Sequence, residues 1–218
     1  MKKVLVFASL FMAVPAAQAL VITCCTFEGD VITPSTGAGT ASLVGGTTAT
    51  FATGFSAGRG WNTTTYPSQG TNPKTAGVQF LAATTGYFNI TVSWNQRHSN
   101  TSANTAVLQY TTDGTTWTDH QTYSFVPAAT GTGDTWYSRS ADLSSVTGVA
   151  NNPLFGIRVV SNYDAGTGTY LASRSTSTYG TTGTWRFDDV KVEGVVPEPA
   201  SIAALSLGLL ALARRRRS

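Results

Sequence analysis

Tyr87-Phe88-Asn89-Ile90-Thr91-Val92-Ser93-Trp94-Asn95 alternates apolar and polar side chains with a period of two. On an extended chain Phe88, Ile90, Val92 and Trp94 share one side, and Asn89, Thr91, Ser93 and Asn95 share the other. That is the pattern of a strand with one buried face and one wet face. A helical period of 3.6 would scatter the same residues round the axis.

Working outward, residues 77–82 read as the strand before it. Residues 106–112 follow a polar loop, with Ala106, Leu108 and Tyr110 on one side. Asp113-Gly114 is a hairpin turn signal, and Trp117 falls on the return strand. Further strands are expected at 122–126, at 135–143 with Trp136, at 155–159 and at 185–193. Toward the N-terminus a short strand fits 24–27 and a weak one 41–44. Residues 61–74 contain Pro67, Gly70 and Pro73 and read as a long irregular loop. Residues 162–183 form a second loop, rich in Gly, Ser and Thr. About nine or ten strands result. No segment of 20–194 carries sustained helical periodicity, so no crossover helix is available to join parallel strands. The fold class is all-β, an antiparallel jelly-roll β-sandwich.

Both ends of the chain read as targeting segments. Lys2 and Lys3 precede an apolar run, and Ala17-Gln18-Ala19 fits the small-x-small cleavage rule. Residues 1–19 are therefore expected to be a signal peptide and residues 20–194 the exported domain. The last 24 residues, 195–218, hold three features in order. Pro197-Glu198-Pro199 breaks regular structure. Residues 200–213 are almost wholly apolar and read as a transmembrane helix. Arg214, Arg215, Arg216 and Arg217 follow. Fourteen residues in a helix reach about 21 Å, short of a hydrocarbon core of about 30 Å. The span is minimal and suits a sorting tail better than a permanent anchor.

This tail resembles the PEP-CTERM sorting signal of Gram-negative bacteria, through Pro197, Glu198, Pro199, the short apolar helix and the arginine cluster. The resemblance implies an exosortase as processing partner, transient insertion into the inner membrane, and delivery to the cell surface or an extracellular polysaccharide matrix.

The targeting ends also explain the charge. The whole chain is formally +3, but residues 20–194 hold eight basic and ten acidic residues. That domain is slightly acidic, and no basic patch suggests a nucleic-acid partner. Cys24 and Cys25 are adjacent, too close for an unstrained mutual disulfide, and read as free thiols with one facing inward.

Three stretches resemble the jelly-roll superfamily of carbohydrate-binding modules and galactose-binding-like domains. They are Cys25-Thr26-Phe27-Glu28-Gly29, the run from Leu108 through Asp113-Gly114 to Trp117, and Trp185-Arg186-Phe187-Asp188-Asp189-Val190-Lys191-Val192. The resemblance implies that first and last strands are neighbours and that Glu28 and Asp188 hold a structural calcium, with Asp30 as a further candidate. By strand parity Asp188 shares the side of Val190 and Val192.

A non-catalytic, polysaccharide-binding role follows from aromatic side chains in or beside loops, because rings stack on sugar faces while polar groups fix hydroxyls. Trp61, Trp136 and Arg97 are the candidate ligand-binding residues. Two other readings stay open. One is a secreted carbohydrate-active enzyme using a carboxylate pair. The other is a structural matrix protein without a specific ligand. His98 and His120, the only histidines, fall in polar, loop-like sequence, and no serine sits in a nucleophile-elbow pattern.

Overall fold

Alternation of buried and exposed side chains runs through two antiparallel sheets packed face to face. The computed structural model describes residues 18–125 and 135–197. Most of the expected signal peptide, the apolar segment 200–213, Glu198, Pro199 and Arg214 to Arg217 lie outside the described residues. Of the sorting motif only Pro197 falls within them.

Twelve strands occur among the described residues: β1 (Ala19–Cys25), β2 (Thr36–Gly37), β3 (Thr40–Val44), β4 (Thr48–Thr53), β5 (Arg59–Thr64) and β6 (Gly77–Leu81), then β7 (Phe88–His98), β8 (Thr105–Thr111), β9 (Thr118–Ser124), β10 (Trp136–Asp142), β11 (Gly156–Ser161) and β12 (Trp185–Val195). The first sheet runs β10-β7-β12-β1-β2, with β5 also on β12 and β4 outside β5; the second runs β3-β6-β11-β8-β9. No helix occurs among the described residues.

The opening stretch lies in β7, between β10 and β12 in the first sheet. In β7, Ile90, Val92 and Trp94 are buried in the core, as their alternation requires. The inward parity continues through Gln96 and His98, which are also buried. From the second sheet Val78, Phe80, Leu108, Ile157 and Val159 meet them. Cys24 and Cys25 are free and buried, and Cys25 belongs to the core cluster.

Three expectations are corrected. The stretch expected as an irregular loop from Trp61 opens with β5, whose inward residues are Trp61 and Thr63. Thr63 is tolerated there because its hydroxyl donates to Trp185 O at 3.0 Å and pairs with Tyr66 Oη at 2.6 Å. The histidines are not in loops: His98 ends β7 and His120 lies in β9. In β12 the pairing slips between Asp188, opposite Asn95, and Lys191, opposite Ser93, and Asp189 takes a φ of 48°. This β-bulge inserts one residue. Trp185, Phe187, Val190 and Val192 all face inward, while Asp188 faces outward with Asn95. Asp188 therefore does not share the side of the two valines.

His98 is 2% exposed, with Nδ1 at 3.0 Å from Ala103 O and 3.1 Å from Ser173 Oγ. Burial pushes its imidazole down to about 3, against the carbonyl contact that favours the cation. The unfolded chain then binds a proton that the folded chain refuses, between its unfolded value of about 6.5 and about 3. Stability is full above that window and falls as pH drops through it. Chemical denaturation of wild type should show a midpoint declining from pH 6.5 to 4.5, and His98→Gln should flatten that decline; equal slopes would show that His98 is not its source.

Candidate functional site

The outer face of the first sheet carries a row of side chains that strand register places side by side. Trp136 in β10 pairs with Arg97 in β7, Arg97 with Arg186 in β12, and Arg186 with Asn62 in β5. Four adjacent strands span about 14 Å at the usual spacing. All four side chains are partly exposed. Phe55, 41% exposed, packs edge-on against Trp136 with ring centroids 5.8 Å apart. Below this row Ser138 Oγ donates to Asn95 Oδ1 at 2.7 Å.

Arg186 is held rigidly. Its Nη1 donates to Thr53 O at 2.7 Å and its Nε to Asn62 Oδ1 at 3.3 Å. A guanidinium has five N–H donors, so donors remain for a ligand. Burial, then the neighbouring Arg186, holds Arg97 below its ordinary value. Burial, then Arg59, does the same to Arg186.

Two of the three sequence candidates for ligand binding are thus brought together, and the third is not. Trp61 is 3% exposed, stacked on Phe27 at 5.6 Å and edge-on to Phe80 at 6.3 Å. Its exposed edge helps to line a largely apolar cleft of about 650 Å3, together with Val31, Ile32 and Leu43. Its alternation in β5 turns the ring inward, which corrects its expected place beside a loop. Sequence reasoning missed Arg186 and Asn62. Their signal was present in the alternation of β12 and β5, but only register could place them next to Arg97.

The second sheet offers a different surface. Trp117 is half-buried, and the Arg158 guanidinium lies over its ring at 3.9 Å from the centroid. Arg158 Nε also donates to Gln79 Oε1 at 2.8 Å. One face of this indole is therefore already occupied.

Glu28 and Asp188 approach the same turn, residues 54–58. Phe55 N donates to Asp188 Oδ2 at 2.7 Å and Arg59 N to Glu28 Oε1 at 3.0 Å. A methyl group placed on Gly54 would stand 2.5 Å from Asp188 Oδ2, 2.7 Å from Ala57 O and 2.9 Å from Arg59 O. Only glycine lets these three oxygens converge. One on Gly58, at φ +67°, would collide with the Glu28 carboxylate. Burial first, then the like charges of Asp189 and Glu28, raises the Asp188 carboxyl above its ordinary value. Asp30 is instead paired with Arg59, Oδ1 to Nε at 2.5 Å. No group of three or more His, Cys, Asp or Glu side chains suited to a metal occurs among the described residues. Any cation here would rely on two carboxylates and backbone carbonyls, a donor set that suits a hard ion.

Among the described residues one serine–histidine hydrogen-bond contact occurs, between Ser173 and His98, with Ser102 Oγ 3.0 Å from Ser173 Oγ. All three side chains are buried. The cluster ties the 102–104 and 173 segments together inside the protein, where no substrate reaches a nucleophile.

With this geometry described, comparison with known proteins separates the tail from the sandwich. Residues 195–217 match the family described as the PEP-CTERM protein-sorting motif. The chain carries a PEP-CTERM sorting motif. That motif marks it for export and cell-surface sorting, with processing by an exosortase. No curated protein matches the chain in sequence. The chain is similar in structure to the CBM22-1–GH10 modules of Clostridium thermocellum endo-1,4-beta-D-xylanase 10B, determined with xylohexaose. The TM-score is 0.51 at 14% identity, over 82% of this chain and 29% of that one. It is also similar to the CBM22-1–CBM22-2 tandem domain of Paenibacillus barcinonensis Xyn10C, with a TM-score of 0.51 at 11% identity, over 86% of this chain and 49% of that one. The chain thus spans less than half of either. At such identity the likeness shows the fold alone: an all-β sandwich of the kind found in carbohydrate-binding modules.

Because Trp61 lies in the core, Trp61→Ala should cost about 3–5 kcal/mol of stability through lost burial and a residual cavity. Equilibrium urea unfolding checks this, and a cost below about 1 kcal/mol would contradict its core placement.

Proposed function

We propose that the sandwich is a non-catalytic polysaccharide-binding domain, delivered by its PEP-CTERM tail to the surface of a Gram-negative cell or to an extracellular polysaccharide matrix. The observation that carries this reading is the row Trp136, Arg97, Arg186 and Asn62 on the outer face of the first sheet. An indole offers an apolar plane to a sugar ring. Guanidinium and amide groups at fixed spacing offer donors and acceptors to its hydroxyls. Arg186 is pre-oriented by Thr53 O and Asn62, so little conformational freedom is lost on binding. The sandwich likeness to xylanase-borne modules supports the reading without identifying a ligand.

Affinity electrophoresis of the full-length protein in gels containing xylan, β-glucan or polygalacturonate tests it. At least one polymer should retard the wild type, and Trp136→Ala should weaken that retardation roughly tenfold. Retardation by none of them, or retention fully independent of Trp136, would overturn the reading in favour of a structural matrix protein.

A calcium ion between Glu28 and Asp188 belongs to the same proposal. The cradle at Gly54 supports it, and so does the raised Asp188 carboxyl, whose charge a cation would offset. Such an ion would tie β12 to the turn between β4 and β5 and would supply no chemistry beyond that. A ligand bound only by the folded state stabilises it by about 2.7 kcal/mol at a hundred times its dissociation constant. Millimolar calcium should therefore raise the thermal midpoint by several degrees, EDTA should reverse this, and Asp188→Asn should abolish it. An unmoved midpoint in wild type rules the ion out.

A further inference from the structure

We infer that β4 is a self-association edge: two copies of this chain pair through it, antiparallel, about a two-fold axis at Phe51, and cover the apolar cleft beside it. The inference stands independently of polysaccharide binding.

A charge-free run builds this edge. Residues 31–58 contain no Asp, Glu, Lys, Arg or His, and no other such run in residues 20–194 is as long. The run forms β2, β3 and β4, and at Gly45-Gly46-Thr47 it crosses from β3 in the second sheet to β4 in the first. Thr47 pins that corner, with its hydroxyl 3.0 Å from Val44 O and 2.9 Å from Gly77 O. The edge is thus ordered before any partner arrives, which lowers the cost of association.

β4 pairs with β5 alone, so its other side has no strand partner among the described residues. An open strand edge offers backbone donors and acceptors to another chain, and folds commonly guard it with charge, proline, a bulge or brevity. The other edges of this sandwich have such guards. β9 carries Asp119 and His120 and slips its pairing at Leu108 and Gln109, β10 carries Arg139 and Asp142, and β2 is two residues long. β3 is as uncharged as β4, but its central residue is the small, polar Ser42. β4, Thr48-Ala49-Thr50-Phe51-Ala52-Thr53, has no charge and no proline and pairs with β5 without a slip. Its Thr and Phe side chains favour strands.

Symmetry and charge identify the partner. Pairing β4 with its own copy at Phe51 sets Phe51 against Phe51, Thr50 against Ala52 and Ala49 against Thr53, each pair on one face. No like charges meet across the axis, because neither edge holds any. A partner recognised through charge finds no ionic group on this strand to engage. Phe51 is half-buried and lines the cleft of about 650 Å3 with Val31, Ile32, Leu43, Ala49 and Trp61. Val31 is 47% exposed and Ile32 37%. A cross-strand aromatic pair stabilises an antiparallel sheet, and the apolar surface beside it is withdrawn from water. Each copy has one β4, so the pairing closes at two copies and does not grow into a filament.

Sedimentation velocity of the full-length protein in a nonionic detergent, over a concentration series, tests this. Wild type should be dimeric at micromolar concentration. Thr50 is exposed and faces outward, and across the axis it is a diagonal neighbour of its own copy. Thr50→Lys should therefore raise the dimer dissociation constant at least about tenfold. An equal mixture of Thr50→Lys and Thr50→Glu should restore dimers, and Ser42→Lys on β3 should leave them unchanged. Circular dichroism checks that each variant is folded. Phe51→Cys should form an interchain disulfide under mild oxidation, and Thr115→Cys, exposed on the hairpin after β8, should not. A wild type that stays monomeric up to submillimolar concentration would overturn the inference. So would a dimer that persists in Thr50→Lys, since association would then belong to another surface such as the apolar tail. Loss of the dimer in Ser42→Lys, or a Phe51→Cys variant that does not cross-link, would overturn pairing through β4 about Phe51.

Discussion

The bulge at Asp188 and Asp189 is the constraint on which the sandwich depends. β12 is eleven residues long and lies against β7 on one side and both β1 and β5 on the other. A regular strand would turn either the Trp185 and Phe187 half or the Val190 and Val192 half away from the core. One extra residue, with Asp189 at φ 48°, restores inward parity to both halves. The same shift sends Asp188 to the outer face, where the amides of Phe55 and Asp189 donate to its carboxylate. A single backbone irregularity thus completes the core, anchors the 54–58 turn and sets the outward register of Arg186.

Much of this fold is legible in the sequence because its strands alternate strictly. β7 carries Ile90, Val92 and Trp94 at period two, β8 and β11 carry two large apolar residues so spaced, β12 carries two such pairs on either side of its bulge, and each strand falls within a few residues of where alternation puts it. β4 and β5 are not legible for a physical reason. Their inward positions are Ala49, Phe51, Trp61 and Thr63, one small, one hydroxylated and only two large. Thr63 is satisfied in the interior by Tyr66, three residues on, and by Trp185, 122 residues away, and that second contact is concealed by sequence separation. The polar end of β7 is hard to read for a different reason: Gln96 and His98 are polar yet buried, held by Trp94 and Ala103 close by in sequence and by the distant Ser173.

The candidate site shows the same division. Aromatic content points to stacking surfaces, but it does not say which rings are free. Of the five tryptophans, Trp61, Trp94 and Trp185 are core residues, and Trp117 lies under Arg158. Trp136 remains, and its value comes from register, which no periodicity within one strand reveals. Arg97 is separated from Arg186 by 89 positions and from Asn62 by 35 in sequence, yet all three lie in one cross-strand line.

Charge placement carries the last step. Summed over the exported domain, acidic residues exceed basic ones, which argues against any general affinity for polyanions. Field strength at a surface depends on spacing and desolvation, not on totals. Asp30 neutralises Arg59, and Asp119 neutralises Lys74. Arg97 and Arg186 are direct cross-strand partners, and Asp188 and Asn95 occupy the row beside them on the same face. Both signs of charge thus stand within neighbouring rows of the outer face, and the surface field there is set by register rather than by composition.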